Sequence, residues 1–309
     1  MAWDEDRLHR WLARAAAPRV LRGSAGHDAC VMARPRGRQV VCVDQVLVGV
    51  HCERNAAPGA VGRKAAMRAL SDLAATAANP SALFLAVRAP SQVEERTIRA
   101  WIRGVREVGE RCGAELAGGD LACGPGPASL SVTAVGEYRG AGRPPGRDRA
   151  RAGDWILITG PLGGSRLGRH LRFKARLEAG RRLHLRYGAR ALMDVSDGLA
   201  WDLFRLARAS GVRARLLEVP IHRDARRAAS GGRRGALWHA LHDGEDHELI
   251  AVMAAADARR AQEDGSLELA KVSMIGRRER GEGLVLGAAL AGGEERDWHP
   301  KEGGWRHGR

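Results

Sequence analysis

Residues 193–203 read "MDVSDGLAWDL". Apolar residues lead into Asp194, a Ser-Asp-Gly turn follows, and apolar residues at helical spacing resume after Gly198. The stretch reads as a buried strand, a tight acidic turn and a helix over 199–210. A carboxylate next to a buried strand is costly unless it is paired or holds a metal, so Asp194 and Asp197 demand a partner. Asp202 lies beyond the turn, and the reading places it as a solvated acid on the helix.

The same alternation extends outward in both directions. "RQVVCVD" (38–44) predicts a strand with Asp44 at its carboxyl end, and 61–78 predicts an alanine-rich helix that contains Asp72. Strands are expected over 81–89, 114–120 and 129–138, and a helix over 91–113 with Ser91 and Glu94 as a capping box. "RGAGRPPGRDRARAGD" (139–154) is nearly empty of apolar residues and reads as a domain boundary. Beyond it come the strand "WILITG", the glycine loop "PLGGS", a helical stretch, the acidic turn, the strands "VRARLLEV" and "HELIAVM", a further helix and a β-rich end. Helices and strands alternate in both halves, so the fold class is α+β in two domains, 1–140 and 141–309. The polar tail after Gly292 is expected to be partly loose.

Composition narrows the function. The 309 residues carry 51 Lys and Arg against 36 Asp and Glu, a formal charge of +15. The basic residues are spread along the chain with few aromatics to stack on bases, which argues against nucleic-acid binding as the main role and suits phosphorylated small molecules. No stretch approaches the roughly 20 apolar residues of a membrane-spanning helix. The first residues read as an amphipathic helix capped by Asp4, with Leu8, Trp11, Leu12 and Ala15 on one face, rather than a secretory signal. Five cysteines without a CxxC pair read as reduced thiols, which places the chain in the cytoplasm.

Asp28, Asp44, Asp72, Asp120, Asp194 and Asp197 sit beside glycine, near strand ends or in an alanine-rich helix. Oxygen ligands gathered without His or Cys suit Mg²⁺, which usually serves phosphate chemistry. The loop "TGPLGGS" (159–165) follows a strand, so its N–H groups either face an anion or merely close a turn. It matches neither a Walker A loop nor GxGxxG.

The ordered set "GHDACV" (26–31), "VDQVLVGVH" (43–51), "GRKAAMRALSDLAA" (62–75), "GGD" (118–120), "RDRARAGDWILITGPLGGS" (147–165), "MDVSDGLAWDL", "DGEDHELI" (243–250) and "GWRH" (304–307) resembles the thiamine-monophosphate kinase family, related to aminoimidazole ribonucleotide synthetase. The resemblance implies an N-terminal α/β domain that forms a barrel-like dimer core, beside a C-terminal α/β domain. It implies ATP-dependent, Mg²⁺-assisted transfer of a phosphoryl group to thiamine monophosphate. By motif position the six aspartates are the metal ligands; Gly119, Arg147 and Ser196 contact the nucleotide; His51, Glu245 and Trp305 contact the substrate. The implied partners are ATP, thiamine monophosphate and a second copy of the chain. His27, Cys42, Val43, Val48, Leu121 and Ala122 depart from the family pattern, and two alternatives stay open. One is a paralogue acting on another phosphorylated acceptor; the other is a weakened binding protein of the same fold.

Overall fold

The structure is a computed structural model that describes residues 3–12, 20–22, 29–264 and 273–304. Its contacts divide the chain into two compact units, Met1–Leu73 with Ala78–Arg139, and Gly140–Arg309 with Ala74–Ala77.

The first unit runs α1 (Glu5–Leu12), β1 (Val20–Arg22), β2 (Val31–Met32), β3 (Arg38–Leu47), α2 (Pro58–Ala75), β4 (Asn79–Ala89), α3 (Glu95–Cys112), β5 (Glu115–Cys123) and β6 (Ser129–Tyr138). β3, β6, β4 and β5 form a four-stranded sheet in that order. Its strands pair antiparallel except β4 with β5. Alternation sends Val46, Leu83, Leu85, Val87, Leu130 and Val132 to one face, and all are buried. In α3, Ile98, Trp101, Ile102, Val105 and Val108 recur at helical spacing and are buried. Each such large side chain contributes about 1.5–3 kcal/mol on burial. The other sheet face is covered in part, where Ala82, Ala117 and Val135 pack with Met32 and Phe84. Elsewhere it is bare: Val41 is 59% and Val43 65% exposed.

Several local expectations meet corrections here. Asp44 lies inside β3, which continues to Leu47. The helix expected from residue 91 begins at Glu95, with Glu94 as N-cap making no side-chain cap bond. Residues 91–93 instead turn, with the Val93 N–H donating to the Pro90 carbonyl, so Ser91 cannot cap. Asp4 does cap α1, its Oδ1 accepting the Arg7 N–H at 2.7 Å. Leu8 is fully buried and Trp11 is flanked by the guanidinium groups of Arg99 and Arg106. Ala15 lies outside the described residues.

The second unit runs β7 (Trp155–Ile158), α4 (Leu177–Leu185), β8 (Ala191–Asp194), α5 (Leu199–Ala209), β9 (Arg213–Leu216), α6 (Arg223–Ser230), α7 (Ala236–His242), β10 (Leu249–Met253), α8 (Ala255–Glu263), β11 (Ser273–Glu279), β12 (Gly283–Leu286), α9 (Ala288–Ala291) and β13 (Arg296–Asp297). The stretch after "PLGGS" forms two single 3₁₀ turns, Ser165–Leu167 and Arg169–Leu171, before α4 begins. The seven strands order as β13-β12-β9-β11-β7-β10-β8. Ile156, Met193, Ile250 and Val252 pack on one face with Leu203 and Leu206 of α5 and Leu241 of α7. Leu157, Leu192 and Met253 pack on the other with Leu183 of α4 and Ala258 of α8. Part of the tail expected to be loose is anchored: Trp298 is 3% exposed and its indole N–H donates to His242 Nε2 at 3.1 Å. All five cysteines are free thiols. Among the described residues no helix is long and apolar enough to cross a membrane.

One buried charge in this unit stands against the packing. Arg278 of β11 is 1% exposed, and its Nε, Nη1 and Nη2 have no hydrogen-bond partner among the described residues. Burial pulls the guanidinium down to about 9, with Asp154 acting against it. Burying a charge costs several kcal/mol when no partner offsets it, and an apolar residue of similar volume removes that cost. R278M is therefore expected to melt higher, by roughly 2–4 °C for each kcal/mol gained. Thermal unfolding measures this, and an equal or lower midpoint would refute the unpaired burial.

Candidate functional site

The topology of the second unit brings three loops to one end of its sheet. β8 and β7 both run antiparallel to β10, with Asp194 opposite Leu249 and Ile158 opposite Ile250. The turn after β8 (195–198), the loop after β7 (159–165) and the loop entering β10 (243–248) therefore meet. The Glu245 and His247 N–H groups donate to the carbonyls of Ser196 and Val195, each at 2.8 Å. Gly244, at φ +70°, lies so close that an added Cβ would stand 2.5 Å from the Ser196 carbonyl oxygen, so only glycine fits there.

Asp194, the last residue of β8, is 4% exposed, and its Oδ2 lies 3.0 Å from His247 Nδ1. His247 Nε2 lies 3.4 Å from Glu245 Oε2. Burial works against charge on His247, but its bonds to the two acids outweigh burial and push the imidazole up to about 9. Asp197 is half-buried and pairs with Arg205. Ser196 between the two acids is half-buried as well.

Asp202 corrects the sequence reading. It is fully buried, and its Oδ2 accepts the N–H groups of Ser196 and Asp197 at 2.9 Å each. The first turn of α5 thus folds a carboxyl back beneath the acidic turn and fixes its backbone. Burial, then the charge of Asp197, pushes Asp202 up to about 8.

The glycine loop also resolves. Its N–H groups do meet anions, but the anions belong to this chain. Gly163 N–H donates to Asp246 at 3.0–3.1 Å, and Gly164 N–H to Asp243 at 2.8 Å. Arg169 bonds Asp246 at 2.7 Å. Burial pushes Asp246 up to about 7, with Arg169 pulling the other way. Glu248 accepts from Thr159 Oγ1 at 2.6 Å and from Arg176 Nε at 2.8 Å. Asp246 and Glu248 therefore build the loop.

In the first unit, Arg68 of α2 grips Asp44 with Nε at 2.9 Å and Nη2 at 3.0 Å. Asp72 is half-buried one turn further along α2. Asp44 shares its sheet face with Gly119, whereas Asp120 is exposed on the opposite face, as the β3–β6–β4–β5 register requires. An added Cβ on Gly119 would stand 1.9 Å from the Leu85 carbonyl oxygen. That backbone cannot yield locally, so G119A is expected to destabilise the unit by about 2 kcal/mol or more. Its denaturation midpoint decides: a parental value would mean the clash is relieved.

His51 is 8% exposed, and its Nδ1 accepts the Leu47 N–H at 2.9 Å, which locks the turn after β3. The neighbouring residues Val48–Val50 line a cleft of about 820 Å³ with Arg54, Arg96 and Trp101. Arg147 is exposed, and its carbonyl accepts the Ser210 hydroxyl at 2.6 Å. Asp28 and Trp305 lie outside the described residues.

Among the described residues no three acids, histidines or cysteines of one group converge into a complete metal site. The donor set still fits Mg²⁺, which takes one or two carboxylates and keeps water and phosphate oxygens for the rest. Of the acids expected to hold it, Asp44 is engaged by Arg68, Asp197 by Arg205 and Asp194 by His247.

Comparison with known proteins fits this frame. Residues 26–138 match the model of AIR synthase related protein, N-terminal domain. The chain is 37% identical over 228 residues to the thiamine-monophosphate kinase of Rhodopirellula baltica, covering 73% of this chain and 71% of that protein. The crystal structure of thiamine-monophosphate kinase from Stenotrophomonas maltophilia superposes with a TM-score of 0.76 at 33% identity, over 93% of this chain and 94% of the other. AaThiL complexed with AMPPCP and TMP gives a TM-score of 0.71 at 28% identity, over 87% of both chains. Fold and acidic loops together define a phosphotransferase with an AIR synthase-related N-terminal domain. Within that class, the chain belongs to the thiamine-monophosphate kinase family.

Proposed function

We propose that this chain moves the γ-phosphoryl group of ATP directly onto the phosphate of thiamine monophosphate, releasing ADP and thiamine diphosphate. The observation that carries the reading is the meeting of the Asp194–Asp197 turn and the Glu245 loop at one sheet end, in a chain whose relative AaThiL takes AMPPCP and TMP. The attacking atom is a phosphate oxygen and is already nucleophilic, so no side chain has to serve as general base. Catalysis then consists of positioning and charge neutralisation.

Bound Mg²⁺ would supply that neutralisation. Asp28, Asp44, Asp72, Asp120, Asp194 and Asp197 are assigned to hold it. Gly119, Arg147 and Ser196 are assigned to the nucleotide, and His51, Glu245 and Trp305 to thiamine monophosphate. The cleft beside His51 has the size of a small-molecule pocket; Arg96 in its lining is paired with Glu94, and Arg54 gives it positive charge. The first unit serves ATP, Mg²⁺ and dimer formation. The bare sheet face around Val41 and Val43 supports pairing with a second copy, because an exposed apolar face of this kind calls for a cover. The reaction and the free thiols suit a cytoplasmic enzyme.

The test is an assay of purified protein with ATP, Mg²⁺ and thiamine monophosphate, read as thiamine diphosphate formed. Product formation is expected. ATP binding without product would sink the acceptor assignment and favour another phosphorylated acceptor.

A further inference from the structure

We propose that His247 is a positioning residue that holds Asp194 and Glu245 in one fixed arrangement for phosphoryl transfer. This rests on the proposed function, in which Asp194 serves the metal and Glu245 the substrate. His247 is 1% exposed, so its ring is shielded from bulk solvent. Nδ1 meets Asp194 Oδ2 at 3.0 Å and Nε2 meets Glu245 Oε2 at 3.4 Å, so one rigid imidazole spans both acids. Phe173 stacks on the ring at 4.1 Å between centroids and 15° between planes, which fixes its tilt.

The backbone is committed to the same end. Glu245 and His247 have φ of 57° and 51°, a region that residues with a Cβ seldom occupy. Non-glycine residues stay there only where the surroundings over-determine them, and such positions cluster at functional sites. Here two bonds from their N–H groups to Ser196 and Val195 supply the constraint. The imidazole thus couples an acid at the end of β8 to an acid 51 residues later in sequence, as outer partners of metal ligands do elsewhere.

Two variants test this. H247F keeps the stack on Phe173 but donates to neither acid; H247Q keeps a single donor nitrogen. H247F is expected to raise the Mg²⁺ half-saturation and the KM for thiamine monophosphate by about 10-fold each, with H247Q between it and the parent. Calorimetry is expected to show equally weakened Mg²⁺-dependent AMPPCP binding in protein that is still folded, beside the lower melting midpoint that loss of the Asp194 partner brings. Parental Mg²⁺ and KM values in folded H247F, or a loss confined to the melting midpoint, would overturn the positioning role. If H247F does not fold, parental values in H247Q do the same. A parent that binds Mg²⁺ and AMPPCP yet makes no thiamine diphosphate would fail the acceptor assignment alone, and the calorimetric comparison would still decide His247. A parent that binds no nucleotide would overturn both.

Discussion

Replacing Asp72 by Asn is expected to lower thiamine diphosphate formation by about 10²-fold or more while leaving the melting midpoint almost unchanged. A metal ion contributes several kcal/mol of charge stabilisation in a transition state, and each 1.4 kcal/mol is about a factor of ten in rate. Loss of one charged ligand is therefore a large kinetic event. It is a small structural one, because Asn keeps the volume and hydrogen-bonding shape, and Asp72 is half-buried on α2 with no place in the apolar stripe. Arg68 sharpens the expectation. It stands one turn before Asp72 and already neutralises Asp44 through two bonds. Arg68 thus cancels Asp44, Asp72 supplies the net negative charge of the three, and D72N removes it, against a cation. Initial rates across a Mg²⁺ titration, beside thermal melts, test this. Near-parental turnover in a folded D72N protein would remove Asp72 from the metal-binding set.

Elements with a strong apolar period were legible from the sequence. α3 carries its stripe from Ile98 to Val108, and β6 its alternation from Ser129 to Tyr138, and both stand within a few residues of where they were expected. α6 and α7 were not expected, because Arg, Gly and His dominate 222–243; only Ala225 of α6 is buried. These helices exist through tertiary contact rather than through their own pattern. The site shows the same division. Motif order pointed to Asp194, Asp197 and Glu245, but not to what holds them. The anions of the glycine loop lie about 80 residues downstream, so no local rule could name Asp246 and Asp243 as its occupants. His247 is one more polar residue in "GEDHEL"; the available signal is its place at the head of the expected strand "HELIAVM", where a polar side chain needs partners. Asp202 was misread because a charged residue in a first helical turn is usually solvated. Its burial follows from the acidic turn curling over it, which sequence spacing does not display.

That latch at Asp202 carries the second large expectation. D202A strips the acceptor from the Ser196 and Asp197 N–H groups and leaves a void at a fully buried position. Unsatisfied donors and an unfilled cavity together cost roughly 3 kcal/mol. For a unit of this size that is a drop of about 6–12 °C in melting midpoint. Activity should fall further than stability, because the same two bonds set the direction in which Asp197 points. D202N should behave differently. Burial and the charge of Asp197 hold the Asp202 carboxyl up to about 8, so at neutral pH it already carries a proton, and the Asn carbonyl oxygen can accept both N–H groups. D202N is expected to match the parent near pH 4 and to exceed it in stability at pH 7. The sign with pH follows from linkage: between 3.8 and about 8 the folded chain holds a proton that the unfolded chain has released. Stability from this group therefore declines as pH rises through that window, and D202N abolishes the decline. Denaturation of metal-free parent and D202N at pH 5, 6.5 and 8 measures it, with the advantage of D202N growing with pH. A D202A stability within about 1 kcal/mol of the parent's would show that the turn after β8 holds its shape without Asp202, and the structural basis assigned to the acidic turn would fall with it.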